Sequence, residues 1–85
     1  MLPMIHEKER IYSMDDQGRL VAEITFPQVS PGLYCIDHTF VDPSLRGQGA
    51  AGALVQAALQ EIEALGGTAT ATCSYAVRWM ESHNL

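Results

Sequence analysis

The chain has 85 residues, of which 47% are hydrophobic and 18% are charged. This length allows one domain with a small core, so we expect a single domain over residues 1–85. Ten acidic against five basic residues give a formal charge of −5, which disfavours nucleic acid as a partner. No apolar run is long enough to span a bilayer and no secretory signal is recognisable, so the sequence predicts a cytoplasmic protein.

The first half of the chain has the pattern of three antiparallel strands. A mixed segment from about Ile5 to Met14 predicts an edge strand, and the turn residues 15–18 lead into a strand over Leu20–Phe26 with period-two alternation. Ser30-Pro31-Gly32 predicts a second turn, followed by a third strand over Leu33–Val41. Counted along that third strand, one face is apolar apart from His38. We expect these strands to form a meander.

The second half predicts a helix, a strand and a short helix. Apolar residues recur every three or four positions over about Gly49–Leu65, which is typical of an amphipathic helix, and the following Gly66-Gly67 pair suits its C-cap. Residues Thr68–Tyr75 are rich in small and β-branched side chains and predict a strand, with a short helix over Ala76–Ser82. The third strand, the long helix and the fourth strand then form a βαβ unit with a parallel pair, which gives an α+β fold.

A glycine-rich junction connects the third strand to the long helix. Unpaired backbone N–H groups and the positive end of a helix dipole make such a junction suited to phosphate. The run Gly47-Gln48-Gly49-Ala50-Ala51-Gly52 matches the dinucleotide pattern GxGxxG, but it follows the third strand and no acidic residue ends the next strand. A P-loop is also excluded, because no Gly-Lys-Ser/Thr follows.

A different pattern in the same junction is more specific. Arg46-x-x-Gly49-x-Ala51 resembles the acetyl-coenzyme A signature of the GNAT acetyltransferase superfamily. Together with Asp37-His38-Thr39 before the loop and Cys73-Ser74-Tyr75 after the helix, it resembles the minimal, single-domain branch of that superfamily from about Leu20 onward. The chain lacks the two helices that usually follow the first strand and build the acceptor site, and the strands that often follow the last helix.

The resemblance implies acetyl-coenzyme A as the cofactor, with its pyrophosphate on the loop. In the superfamily, the strands equivalent to the third and fourth splay apart, and the pantetheine arm lies between them like another strand. This places the thioester near Phe40 and Val41 on one side and Cys73 on the other, with a backbone N–H of Phe40 or Val41 polarising its carbonyl. The predicted cofactor-binding residues are Phe40, Val41, Arg46, Gly47, Gln48, Gly49, Ala50 and Ala51.

Three side chains are candidates for catalysis. Cys73 is either a nucleophile that passes through acetyl-cysteine, a shield for the coenzyme thiol, or a small buried strand residue. His38 is either a general base or, as we favour, a hydrogen-bonded core residue. Tyr75 is either a proton donor to the leaving thiolate, a role that a tyrosine has in relatives, or a packing residue, which its predicted place on a strand favours. Glu23 is expected on a solvated strand position and Asp37 in a structural role.

Cys35 and Cys73 lack a CxxC spacing and a supporting ligand set, which predicts free thiols and no metal site. The leading hypothesis is direct acetyl transfer to a small amine or an exposed lysine. The alternatives are a coenzyme A or acyl-coenzyme A binding module with little turnover and a purely structural meander. The acceptor is undefined, and both a monomer and a homodimer stay open because the sheet leaves edges that a second copy can cover.

Overall fold

The computed structural model describes residues 3–85, which form two sheets and two helices. The first sheet contains β1 (Ile5–Glu7), β2 (Arg10–Met14), β3 (Leu20–Thr25) and β6 (His38–Val41), all antiparallel and in the order β1-β2-β3-β6. The second contains β4 (Gln28–Ser30), β5 (Leu33–Ile36) and β7 (Thr68–Ala71), in the order β4-β5-β7. The helices are α1 (Ala50–Ala64) and α2 (Ser74–Ser82), and a 3₁₀ turn covers Pro43–Leu45.

The predicted α+β fold and the parallel pair are confirmed, with β5 and β7 parallel from Leu33↔Thr68 to Ile36↔Ala71. The predicted edge strand over residues 5–14 is instead the hairpin β1–β2. The predicted third strand is broken at Asp37, so that its first half joins one sheet and its second half joins the other. The break separates β6 from the strand that pairs with β7.

Two contacts hold the break at Asp37. Asp37 Oδ1 accepts a 2.5 Å hydrogen bond from the Thr25 hydroxyl, which confirms the structural role predicted for this carboxylate. On the other side, the Ile36 carbonyl accepts from the N–H groups of both Thr72 and Cys73, at 3.0 and 3.2 Å. The parallel ladder therefore ends at Ile36, and the chain on either side of it diverges.

The core lies between α1 and the inner faces of both sheets. Helix α1 presents Leu54, Val55, Ala58 and Ile62 to the buried strand residues Ile11, Ile24 and Ile36 and to Phe26, which follows β3. Burying such side chains stabilises the fold by about 1.5–3 kcal/mol each. At the far end of the helix, Gly66 has a φ of 75° and Gly67 N–H donates to the Ile62 carbonyl at 2.9 Å, so the predicted glycine cap is confirmed.

Within the part of the chain that the structure describes, the opposite face of the four-stranded sheet carries no helix, because α1 covers the other face and α2 packs against β7. Among residues 3–85, no helix is both long and apolar enough to cross a membrane.

Candidate functional site

The site begins at the open edge of β6. Strand β6 is the last strand of its sheet, so one of its two edges has no neighbouring strand. Asp42 N–H donates to the Val21 carbonyl of β3 at 2.8 Å. Because hydrogen bonds alternate along an antiparallel strand, Phe40 N–H also points to β3, whereas those of Thr39 and Val41 point away from it. The open edge therefore offers the backbone groups of Thr39 and Val41 to a ligand.

The glycine loop follows directly at the end of β6. Gly47 and Gly49 have φ angles of 82° and 76°, in the left-handed region that glycine adopts most easily. Inside the loop, Arg46 N–H donates to the Pro43 carbonyl at 3.2 Å and Gln48 N–H to the Leu45 carbonyl at 3.4 Å. The 3₁₀ turn is held in addition by Asp42, whose carboxylate accepts from Ser44 N–H at 3.0 Å and from the Ser44 hydroxyl at 2.6 Å.

Five N–H groups of this junction donate to no backbone carbonyl within residues 3–85: those of Gly47, Gly49, Ala50, Ala51 and Gly52. Gly49 is the N-cap of α1, so the last three of these groups belong to the first turn of a 15-residue helix. A Cβ added at Gly47 or Gly49 would meet no atom within 4 Å. The loop thus combines free donors, a helix N-terminus and open space, which together fit a pyrophosphate.

The open edge and the loop line one cleft of about 370 Å³. Thr39 and Val41 form its strand side, and Tyr75 of α2 lines it from the other helix. Its loop and helix side is formed by Leu45, Arg46, Gly47 and Gly49 to Gly52. The Arg46 side chain is exposed and makes no ion pair with any residue of the described chain. A free guanidinium at the mouth of the cleft is placed to add charge to a phosphate site.

Two of the predicted cofactor-binding residues do not line this cleft. The N–H of Phe40 points to β3, and the Phe40 side chain lies on the opposite face of β6 from Thr39 and Val41. Gln48 uses its backbone N–H within the loop, and its side-chain amide donates to the Ser44 carbonyl at 3.3 Å. Gln48 therefore shapes the loop, and Val41 is better placed than Phe40 to donate to a ligand.

Cys73 lies opposite Thr39 where the two sheets diverge. It is the N-cap of α2, and its sulfur is 3.6 Å from the Thr39 hydroxyl, while Cys35 is buried and both cysteines are free thiols. Burial favours the neutral form of Cys73. However, the Ala76 N–H, the Thr39 hydroxyl and the N–H groups of Tyr75 and Thr39 outweigh it and lower the pKa of this thiol below the ordinary value. Cys73 is thus a partly exposed thiol with enhanced thiolate character, at the end of the open edge.

Thr39 is the functional candidate that sequence reasoning missed. It lines the cleft, its backbone N–H lies on the open edge of β6, and its side chain contacts Cys73. Its position opposite Cys73 depends on where the third strand breaks, and neither glycine nor proline marks that break in the sequence.

The structure corrects the interpretation of His38. We expected a core residue on an apolar strand face, but 53% of its side chain is exposed on the helix-free face of the sheet. Simple alternation places His38 and Phe40 on the same face as buried Ile36. The break at Asp37 instead places Thr39 and Val41 on the core side, opposite buried Ile24 and Ala22 of β3, and directs His38 and Phe40 to the other face. Glu23 is also not the solvated residue that we expected, since its side chain is only 16% exposed and its Oε1 lies 3.4 Å from His38 Nε2.

The structure also corrects the placement of Tyr75. It belongs to α2 and not to a strand, because β7 ends at Ala71 and the helix begins at Ser74. Its hydroxyl lies above the first turn of α1, 3.5 Å from the position that a Cβ on Gly52 would take, and Trp79 Nε1 lies 3.1 Å from the same point. The argument for a packing role from a strand position therefore fails, because Tyr75 lines the cleft and is 37% exposed.

Within residues 3–85, no group of three or more His, Cys, Asp or Glu side chains is arranged to hold a metal ion. The cleft is instead lined by backbone N–H groups, one arginine and a phenol, and the Cys73 thiol lies beside it in contact with Thr39. Such a set can bind a phosphorylated, thioester-bearing ligand and move a proton without a metal.

Comparison with known proteins agrees with this geometry. Residues 10–85 match the family model described as GCN5-related N-acetyl-transferase. The chain superposes on the solution structure of a GCN5-like protein from Staphylococcus aureus with a TM-score of 0.80 and 30% identity, covering 98% of this chain and 81% of that one. No significant match was found among curated proteins.

Two larger proteins share the fold over part of their length. YhbS from Escherichia coli, a GNAT family N-acetyltransferase solved in complex with CoA, matches with a TM-score of 0.60 and 25% identity over 68% of this chain and 35% of its own. The ribosomal-protein-alanine N-acetyltransferase of Brucella melitensis matches with a TM-score of 0.64 and 20% identity over 86% of this chain and 59% of its own. The chain thus spans only part of these two relatives.

Proposed function

Because the chain belongs to the GCN5-related N-acetyltransferase family, we propose that it transfers an acetyl group from acetyl-coenzyme A to the amino group of a small molecule or an exposed lysine. The observation that carries the proposal is the continuity of the cleft. One surface joins the free N–H groups of the loop to the open edge of β6, and the thiol of Cys73 lies 3.6 Å from the hydroxyl of Thr39, which lines that surface. A similar protein, YhbS, was solved with CoA bound.

In this proposal, each part of the cleft has one task in binding. The N–H groups of Gly47, Gly49, Ala50 and Ala51 hold the pyrophosphate, and Arg46 adds a positive charge. The open backbone edge of Thr39 and Val41 pairs with the amides of the pantetheine arm, as another strand would. The Thr39 or Val41 N–H then lies where it can donate to the thioester carbonyl, which is the atom that gains negative charge during transfer.

The chemistry requires a base for the amine and an acid for the departing thiolate. His38 is the candidate base, since its imidazole has a nitrogen that can accept a proton and is exposed on the face that α1 leaves open. Tyr75 is the candidate acid, because its hydroxyl lines the cleft from the opposite wall. In the transfer, the amine nitrogen bonds to the acetyl carbon, the carbon–sulfur bond breaks, and the coenzyme leaves as a thiol.

A second route is favoured by one observation, the lowered pKa of Cys73. A thiolate at this position can accept the acetyl group first and pass it to the amine afterwards. No basic side chain contacts the sulfur among the described residues, so the stabilisation comes from N–H groups and from the Thr39 hydroxyl. Mass spectrometry after exposure to acetyl-coenzyme A without an acceptor distinguishes the routes, because only the second leaves an acetyl group on Cys73.

The test of the proposal combines binding and turnover. Acetyl-coenzyme A should raise the melting temperature and shift the NMR signals of the amides from Thr39 to Ala51. A panel of small amines and lysine peptides should release coenzyme A thiol, and Cys73→Ala should retain turnover if transfer is direct. Binding without product from any amine would favour a binding module, and neither binding nor product would contradict both functions. We also propose the cytoplasm as the location, where two free thiols are stable.

A further inference from the structure

The helix-free face of the four-stranded sheet carries a chain of contacts that ends at His38. Glu7 Oε1 lies 3.0 Å from an Arg10 guanidinium nitrogen, and Arg10 Nε donates to Glu23 Oε2 at 2.5 Å. The other oxygen of Glu23 lies 3.4 Å from His38 Nε2. Four side chains from four adjacent strands are thus connected from the outer edge of the sheet to the edge that borders the cleft.

The register of the sheet produces this chain. Arg10 pairs with Thr25, Thr25 pairs with His38, and Glu23 pairs with Phe40. Residues of one face that are opposite or diagonal on neighbouring strands come within reach of long side chains. Arg10 and His38 therefore lie on either side of Glu23, at diagonal positions on β2 and β6.

Glu23 is held in place more firmly than an isolated strand carboxylate. Its side chain is largely buried, and Arg10 fixes one oxygen while the guanidinium also lies 3.9 Å above the Tyr12 ring. Asp37, the other carboxylate near His38, is engaged with the Thr25 hydroxyl. Among the described residues, Glu23 Oε1 is the carboxylate oxygen that lies within ion-pair distance of the imidazole, at 3.4 Å, and 53% of the His38 side chain is exposed.

We propose that Glu23 is a positioning residue for His38. It holds the imidazole with its proton on Nε2, so that Nδ1 is free to take the proton of the acceptor amine on the open sheet face. The amine N–H bond breaks as its proton moves to Nδ1, and the resulting imidazolium is stabilised by the Glu23 carboxylate, as a carboxylate stabilises the histidine of a catalytic triad. The 3.4 Å separation is long for a hydrogen bond, and such contacts shorten when substrates bind.

This inference rests on the proposed function, since it assigns a partner to the proposed base. It also names the side from which the acceptor arrives. The coenzyme occupies the cleft beside α1, whereas the Glu23–His38 pair opens to the opposite face of the sheet. Donor and acceptor would then approach the divergence of the two sheets from opposite faces.

The test uses ¹⁵N-labelled histidine in the full chain and compares Glu23→Ala with Glu61→Ala. Glu61 is the matched control, because its carboxylate lies 3.3 Å from His6 Nδ1, far from the cleft. Above pH about 8, where an ordinary imidazole is neutral, we expect the His38 signals to show the Nε2–H tautomer in the unmodified protein. Glu23→Ala should change these signals and lower kcat about tenfold or more, with an unchanged KM for acetyl-coenzyme A.

Glu61→Ala should leave both the His38 signals and kcat unchanged. Glu23→Gln keeps an acceptor oxygen without the charge and should fall between the two proteins. Unchanged His38 signals in Glu23→Ala would overturn the positioning role whether or not turnover is detected. If the unmodified protein acetylates no amine, the proposed function fails independently of the NMR result. Equal losses of kcat in Glu23→Ala, His38→Ala and the double variant would support the pair acting as one unit.

Discussion

Gly49→Ala tests the cofactor loop against a control that the chain itself supplies. Gly49 is the N-cap of α1, with φ 76° and ψ 15°. Gly18, in the turn between β2 and β3, has a φ of 80°, and a Cβ at either position would meet no atom within 4 Å. The two glycines therefore share the same backbone strain and the same free space. They differ in that Gly49 lines the cleft and Gly18 does not.

The expected loss of stability is the same for both variants. A left-handed conformation costs a non-glycine residue roughly 1–2 kcal/mol, with no additional clash at either site. For a domain of this size, each kcal/mol lowers the melting temperature by about 4–8 °C. Gly49→Ala and Gly18→Ala should both melt several degrees below the unmodified protein, and by similar amounts.

The affinity for coenzyme A should separate the two variants. At Gly49, the new methyl group either occupies the space for the phosphates or relaxes the strain by turning the loop N–H groups away from them. Loss of one hydrogen bond to a charged group costs about 1.5–3 kcal/mol, which corresponds to a Kd raised roughly 10- to 100-fold by calorimetric titration. Gly18→Ala should bind with unchanged affinity. Equal affinities for both variants would refute the assignment of the loop as the phosphate site.

Three further predictions concern the Cys73 thiol, the Arg46 side chain and the stability of the protein at acidic pH. Thr39→Val removes a hydroxyl that lowers the pKa of Cys73, so alkylation of Cys73 by iodoacetamide should require a higher pH, and Thr39→Ser should restore the original profile. Arg46→Gln should raise the Kd for coenzyme A about tenfold and weaken its salt dependence, whereas Arg19→Gln, which breaks an ion pair outside the cleft, should change neither. Hydrogen bonds from Ser44 lower the pKa of the Asp42 carboxyl in the folded state. The stability that Asp42 contributes is therefore complete above pH about 4, the pKa of an ordinary aspartate in the unfolded chain, and is lost as the pH falls through the lower pKa of the folded state. With Asp42→Asn, the melting temperature should therefore fall less steeply as the pH is lowered. An equally steep fall in both proteins would contradict the contribution of Asp42 to stability.

Local patterns were sufficient to predict most of the elements. The alternation over residues 20–26, the apolar periodicity of α1 and the glycine cap after it are each decided by neighbours in sequence. The loop was predictable for the same reason, since Arg46, Gly49 and Ala51 belong to one contiguous segment between a strand and a helix. Gly47 and Gly49 of the loop have positive φ angles, which glycine adopts more easily than other residues.

The divergence of the two sheets was not predictable in detail, because long-range hydrogen bonds decide it. Thr25 fixes Asp37 from a strand twelve residues earlier, and the Ile36 carbonyl ends the β7 ladder by taking the N–H groups of Thr72 and Cys73. A break of one residue moves every following side chain of β6 to the other face. This explains why the alternation predicts His38 in the core. The early end of the β7 ladder, at Ala71, explains why Tyr75 belongs to α2 and not to the predicted strand.

The difference between the two halves of the site follows from how each is built. The donor side is assembled from two short segments, residues 36–52 and 72–75, which the βαβ unit brings together, so a sequence motif is enough to indicate it. The proposed acceptor side depends on Arg10, Glu23 and His38, which lie on three different strands and share no motif. Only the register of the sheet places them side by side. In the proposed mechanism, a sheet face that carries no helix within residues 3–85 orients the base through a carboxylate that the sheet itself supplies.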